Sequence, residues 1–381
     1  MSDTATLSDV VDSSNVVVCC GSGGVGKTTT AAIVAMEGAR NGRKAVVVTI
    51  DPARRLADAL GIAGLTNEPS RIDGPWPGEL WALMLDTKRT FDGLVERYSA
   101  DAEQAQRILQ NNFYANISGS LSGTQEYMAT EKLYELAVEG AYDLVVVDTP
   151  PTRNALDFLE APHRLVNFLD HRLYRVLTTP TKGIVKAVNV AAQTLIRSLA
   201  KVVGADVISD AIAFFQAFEG MEQGFMQRAS EVDALLVDER TSFVLVASPK
   251  ADTVAEASYF AEQLQERNIA VRGLIVNRMQ PTFELPETDG HHDLASGPEA
   301  ARERAATLAD HSSRAALADH YTCLADARSL ARGEASHLTG LAERVAPAPV
   351  VRVPLQAFEV TDIDALVGLG DVVFGRPTAA R

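Results

Sequence analysis

Cysteine is scarce in this chain, a basic excess is missing, and no apolar run is long. Three cysteines in 381 residues cannot build a disulfide framework, since Cys19 and Cys20 share one apolar, strand-like run and Cys323 stands alone in a helical segment. No CxxC pair is present, which excludes a structural zinc site of the usual spacing. No stretch reaches the ~20 apolar residues that a bilayer crossing needs. The opening MSDTATLSDVVDSSN lacks the basic start and apolar core of a secretory signal, so a cytoplasmic location is expected. Acidic residues outnumber basic ones 50 to 35, a formal charge of −15. A protein that tracks nucleic-acid backbones needs the opposite balance, so general nucleic-acid binding is excluded.

What is present is a run of short β-branched segments, at 15–20, 44–50, 80–85, 143–147, 242–247, 273–276 and 350–353, mostly alternating with segments of helical period. Runs such as VVVCC, VVVTI and LVVVD are apolar throughout, as strands buried on both faces are. The expected fold is therefore α/β: a doubly wound, mainly parallel sheet covered by helices, in a single domain over 1–381. Residues 88–140 and 161–239 read as helical without strands and are assigned to a helical subdomain inserted at the carboxyl edge of the sheet. Residues 280–298, rich in Pro, Gly and acid, read as a flexible loop.

Directly after the first strand run comes GSGGVGKTT, residues 21–29. Gly21, Ser22, Gly23, Gly24, Val25, Gly26, Lys27 and Thr28 meet the P-loop pattern in the strand-to-helix context it requires, and Thr29 is next in the chain. Glycines there let backbone N–H groups curl around phosphate oxygens at a helix N-terminus. Lys27 would bridge the β- and γ-phosphates of ATP, and Thr28 would hold Mg²⁺. Asp148, ending the strand run YDLVVVD, stands where a second Mg²⁺ carboxylate is needed. Asp51 ends another strand run and opens DPARR; on its own it reads equally as a structural cap.

GGVGKTT, DPARRLADALG and DTPPTRNALDFLEAP, in this order, resemble the arsenite-pump and tail-anchored-protein-targeting (ArsA/GET) ATPases, a deviant-Walker branch of the P-loop NTPases. The resemblance implies that Asp51 positions the attacking water and that Asp148 and Thr149 belong to the second switch. It implies that Asn277 reads adenine and that Pro354, in VPL, lies near the base. It also implies a nucleotide-gated dimer, here of two chains. A signature lysine, which in that family reaches the partner's phosphates, is replaced by Ser22; Arg54 replaces the histidine of DPAH, and Arg153, Asn154 and Ala155 replace GHT. Arg54, Arg55 or Arg153 could stand in for the lost cation, or be ordinary solvated switch residues. The family's arsenite-binding thiols and zinc-binding CxxC have no counterpart. His291, His292 and Asp293 could bind a metal, although a loop cluster lacking a fourth spaced ligand is more often simply solvated.

Two surface readings complete the sequence. Phe214, Phe218, Met221 and Phe225 recur at helical spacing, with Phe215 and Met226 beside them, and are either core or an adaptable apolar surface. The stretch 163–201 carries Arg164, Arg172, Arg175, Lys182, Lys186, Arg197 and Lys201 against the single acid Asp170. It is either a solvated face or a docking site for an anionic partner, a membrane protein or phospholipid headgroups, which would make the protein peripheral at the membrane. The expected function is ATP binding and hydrolysis with Mg²⁺, in a homodimer or a heterodimer with a lysine-bearing paralogue, whose closure switches a helical client surface. The rivals are a non-catalytic ATP-binding regulatory subunit and a ParA/MinD-type positioning ATPase; the tail LVGLGDVVFGRPTAAR carries neither a basic patch nor a clear amphipathic anchor for the latter.

Overall fold

A computed structural model describes residues 5–51, 54–117, 124–150, 152–170, 204–283, 297–309 and 314–376. Its strands are β1 (Val16–Gly21), β2 (Lys44–Thr49), β3 (Ser70–Ile72), β4 (Glu79–Met84), β5 (Leu144–Asp148), β6 (Thr241–Ala247), β7 (Val271–Met279) and β8 (Val350–Pro354). They form one sheet in the order β3-β4-β2-β5-β1-β6-β7-β8. Every neighbouring pair is parallel except β3 with β4. All strands but β3 overlap the runs read from sequence. β3 has three residues, of which only Ile72 is buried, too little for a period-two pattern.

Each residue of β1, β5 and β6 is buried, as strands covered on both faces must be. Alternate side chains enter different cores, because Cβ atoms alternate across a strand. Val16, Val18 and Cys20 face α7 (Thr124–Tyr134), α8 (Thr152–Asp170), α10 (Glu222–Leu236), α11 (Ala251–Glu266) and α14 (Thr339–Val345). Val17 and Cys19 face α1 (Leu7–Ser13), α2 (Lys27–Arg40), α3 (Arg55–Ala59) and α15 (Ile363–Val373). The sheet is therefore doubly wound. On its second face α15 is fastened to α2: Arg40 donates to Asp371 at 2.9 Å, Arg376 donates to the buried Glu37 at 2.6 Å, and Gly370 comes so close to Met36 that a Cβ there would lie 2.5 Å from its methyl.

A third core joins α4 (Thr87–Tyr98), α5 (Ala102–Leu109), α6 (Asn112–Ile117) and α9 (Ala205–Ala217) to α7, α8 and α10. Phe214, Phe218, Met221 and Phe225 lie at its centre, 1–5% exposed, with Phe218 and Phe225 rings 5.0 Å apart. The stripe is core, each side chain contributing roughly 2–3 kcal/mol by burial. An adaptable surface built from it is not what the fold shows, although Phe215 and Met226 are only partly buried. Beside this core, the buried Arg228 of α10 donates to Glu131 of α7 and to Glu139, both at 2.7 Å, over the Tyr134 ring. Arg97 of α4 forks onto Glu139 with two bonds of 2.8 Å, pulling that carboxyl down to about 2. A π-helical turn, Glu135–Glu139, carries Glu139 into this network.

No described helix, α12 (Pro298–Ala309) and α13 (Ala315–His337) included, is long and apolar enough to cross a membrane. Of the basic stretch, residues 163–170 are described: Arg164 is paired with Asp157 and Glu160, and His163 with Asp233. Arg172, Arg175, Lys182, Lys186, Arg197 and Lys201 lie outside the described residues, as do His291, His292 and Asp293.

Candidate nucleotide-binding site

The central strands β2, β5 and β1 are adjacent, and their register sets Thr49, Asp148 and Cys19 abreast. β2 and β5 therefore end at one level, β1 runs two residues further to Gly21 beside β6, and the segments beyond the three strand ends converge on one cleft. That cleft has a volume of about 840 Å³ and is lined by Gly23, Gly24, Gly26, Lys27, Thr28, Thr29, Asp51, Asp148 and Thr149, together with Arg55, Gln125 and Arg278.

The loop after β1 owes its shape to glycine at three places. Gly24 (φ 77°) and Gly26 (φ 99°) occupy left-handed backbone that side chains resist. Gly21 passes against β6, where a Cβ would sit 2.0 Å from the Val246 carbonyl oxygen. Lys27, 8% exposed, opens α2 and donates Nζ to the Ser22 carbonyl at 2.8 Å. Burial lowers its pKa, and Asp148 opposes that shift. Ser22 itself is 4% exposed, and its hydroxyl has no hydrogen-bond partner among the described residues.

Asp148 is almost fully buried. Its Oδ2 accepts from the Thr49 hydroxyl at 2.9 Å, whereas Oδ1 has no hydrogen bond among the described residues. Burial raises its pKa above the usual carboxylate value, against the restraining hydroxyls of Thr28 and Thr49 and the charge of Lys27. An orphaned carboxylate oxygen beside a hydroxyl is the all-oxygen set that Mg²⁺ accepts when phosphates and waters supply its other ligands. Thus the residues fit that ion. Among the described residues no three His, Cys, Asp or Glu side chains converge into a metal cage.

The raised Asp148 carboxyl has a measurable consequence. The folded chain keeps that proton to higher pH than the unfolded chain, so stability falls as pH rises from the ordinary carboxylate value of 3.8 through the raised one. Above that raised value the full cost of the buried charge is present. Asp148→Asn keeps an acceptor for Thr49 and removes the charge; the ligand-free variant should melt above the parent at pH 7, the gap closing on acidification. A lower melting point at pH 7 would show that the charge stabilises the fold.

Asp51, partly exposed, faces Arg55 with Oδ2 3.7 Å from the guanidinium. Of the switch arginines, Arg55 lines the cleft, Arg54 lines a separate pocket with Leu56 and Met84, and the Arg153 side chain lies outside the described residues. Gln125, at the start of α7, donates to the Ile50 carbonyl next to Asp51 at 3.1 Å. Asn277 does not line the cleft wall; its Nδ2 donates to the Val25 carbonyl of the loop at 3.0 Å, leaving one N–H and part of its acceptor capacity for another partner. Pro354 ends β8 beside Met279, outside the cleft lining. Arg278 and Gln125 escaped the sequence reading, since neither sits at a position that the family motifs assign a role.

The profile of the anion-transporting ATPase family matches residues 14–289. ATPase GET3 of Malassezia globosa is 26% identical over 277 residues, covering 72% of this chain and 76% of that protein. The ATPase ASNA1 homolog of Cryptosporidium parvum is 24% identical over 70% of this chain and 65% of its own length. The arsenical pump-driving ATPase of Acidiphilium multivorum is 25% identical over 75% of this chain but only 42% of that longer protein. With a complete P-loop sequence pattern at the carboxyl edge of a doubly wound sheet and a profile match over most of its length, the chain belongs to the ArsA/GET family of anion-transporting ATPases.

Proposed function

We propose that this protein binds and hydrolyses ATP with Mg²⁺, and that nucleotide-driven closure of a dimer switches a surface on its helical layer. The observation that carries the reading is the convergence of Lys27, Thr28, Asp51 and Asp148 on one cleft. In this reading Lys27 and the loop amides hold the phosphates, Thr28 and Asp148 hold the metal, and Asp51 orients the attacking water. Asn277 would read the base through its remaining polar capacity. Gln125 supports the coupling, because it ties α7 to the backbone beside Asp51 while the same helix meets α10 through Glu131 and Arg228. The segments 88–140 and 161–239, read from sequence as a helical subdomain, would do the switching, and the basic stretch 163–201 would face an anionic partner or membrane.

Ser22 favours a mixed dimer. A buried hydroxyl cannot neutralise charge on a partner's phosphates, so a paralogue carrying the lysine would complete the site on this chain. The purified chain should therefore turn ATP over slowly, and Ser22→Lys should raise the rate by ~30- to ~1000-fold, the equivalent of about 2–4 kcal/mol of transition-state stabilisation. A fast, cooperative homodimer that Ser22→Lys leaves unchanged would sink the mixed pair. A regulatory subunit without turnover would remain slow in the Ser22→Lys form as well.

Arsenite and antimonite should not stimulate the ATPase. Cys19 and Cys20 are buried, and burial pushes the Cys20 thiol up to about 12 and raises that of Cys19 well above its ordinary value, so neither supplies a thiolate. Cys323 is exposed but single. In the native chain a maleimide should label Cys323 alone; labelling of Cys19 or Cys20, or strong stimulation by either oxyanion, would contradict this.

A further inference from the structure

The register of β7 against β8 slips between Val276 and Met279, and the two residues inside the slip are Asn277 and Arg278. Arg278 there holds a left-handed backbone conformation, φ 60°. Such a conformation is disfavoured for a side-chain-bearing residue, and irregularities of this kind re-aim side chains near functional sites. Here both side chains turn onto the phosphate loop. Arg278 donates to the Gly24 carbonyl at 3.0 Å, and Asn277 donates to the Val25 carbonyl at 3.0 Å. Asn277 also accepts the Arg278 N–H at 2.9 Å, which locks the pair together. Gly26 must be glycine beneath it, since a Cβ would lie 2.4 Å from the Asn277 amide nitrogen.

A trans peptide points its carbonyl and the following N–H in opposite directions. Holding the Gly24 carbonyl therefore aims the Val25 N–H, and holding the Val25 carbonyl aims the Gly26 N–H, away from β7. Among the described residues the Gly26 N–H is given to no other group, and the Val25 N–H is engaged only by the tight turn over Gly23 and Gly24 that brings it toward the Ser22 carbonyl. We propose that Asn277 and Arg278 form a clamp that orients the Val25 and Gly26 amides toward phosphate, so that Arg278 is a positioning residue acting through the loop. The proposal rests on the nucleotide reading of the site and adds residues from the distal strand to its machinery.

The test uses the full chain, titrated with Mg·ATP and with Mg·tripolyphosphate, which has no base. Arg278→Gly relieves the left-handed backbone, so it should melt no lower than the parent; it should nevertheless bind both ligands about tenfold or more weakly, by the same factor. Arg278→Gln, a neutral donor, should recover most of that loss. Parent-like affinity in Arg278→Gly overturns the clamp while leaving the nucleotide reading intact. A glutamine as poor as glycine also overturns it, because the arginine would then act as a charge on the phosphate. A parent chain that binds neither ligand removes the nucleotide reading and the clamp together.

Discussion

Lys27→Ala should lose all thermal stabilisation by ATP, whereas the parent chain should melt several degrees higher at saturating nucleotide. A ligand present at 100 times its Kd and bound only to the folded state contributes about 2.7 kcal/mol. The loss stems from how the ammonium is held. Lys27 is nearly buried, and its Nζ donates to the Ser22 carbonyl inside the loop. Removing it leaves the loop amides in place but strips the charge that makes a polyphosphate welcome in a cleft already holding Asp51 and Asp148. Differential scanning fluorimetry with and without Mg·ATP measures this directly. An unchanged shift in the variant would mean that nucleotide binds elsewhere.

Asp51→Asn should separate binding from turnover. The carboxylate lines the same cleft as Lys27 but comes from the segment after β2, is partly exposed, and faces Arg55. Its replacement should leave ATP affinity within about threefold, since the phosphate cradle is intact, while kcat falls ~100-fold or more through loss of the group that orients water. Single-turnover hydrolysis beside equilibrium binding distinguishes the two effects. Parent-level turnover would leave Asp51 a structural group, paired with Arg55 at the start of α3.

Much of the architecture was legible because it rests on local patterns. Strands buried on both faces announce themselves as unbroken apolar runs, and the loop at 21–29 is a contiguous motif whose glycines have specific backbone duties. What stayed hidden depends on distant pairing or on single torsion angles. β3 exists because Ser70, Arg71 and Ile72 find β4, a preference too short to see in sequence. The first helix did carry a signal, a capping box in which Thr6 and Asp9 satisfy each other's backbone amides, but seven residues lie below the length at which helical period stands out. Whether Phe214 and its neighbours were core or surface turned on the approach of α4, α5 and α6 from about a hundred residues earlier. The left-handed turn at Arg278 has no sequence signature, because arginine has no preference for that region. Nor does any motif reveal that the Ser22 hydroxyl is buried.

The fastening of α15 to α2 bears on how the protein can be shortened. The family profile ends at residue 289, and a fragment cut there would discard both β8 and α15. Doing so would bare the flank of β7, whose backbone would become an open sheet edge ready to recruit other chains. It would also uncover Ile33 and Met36 on the very helix that begins at Lys27, and leave Arg40 and Glu37 without Asp371 and Arg376. A library, truncation series or fusion built on this scaffold should therefore reach beyond the stretch that the family profile matches and keep residues through at least 376.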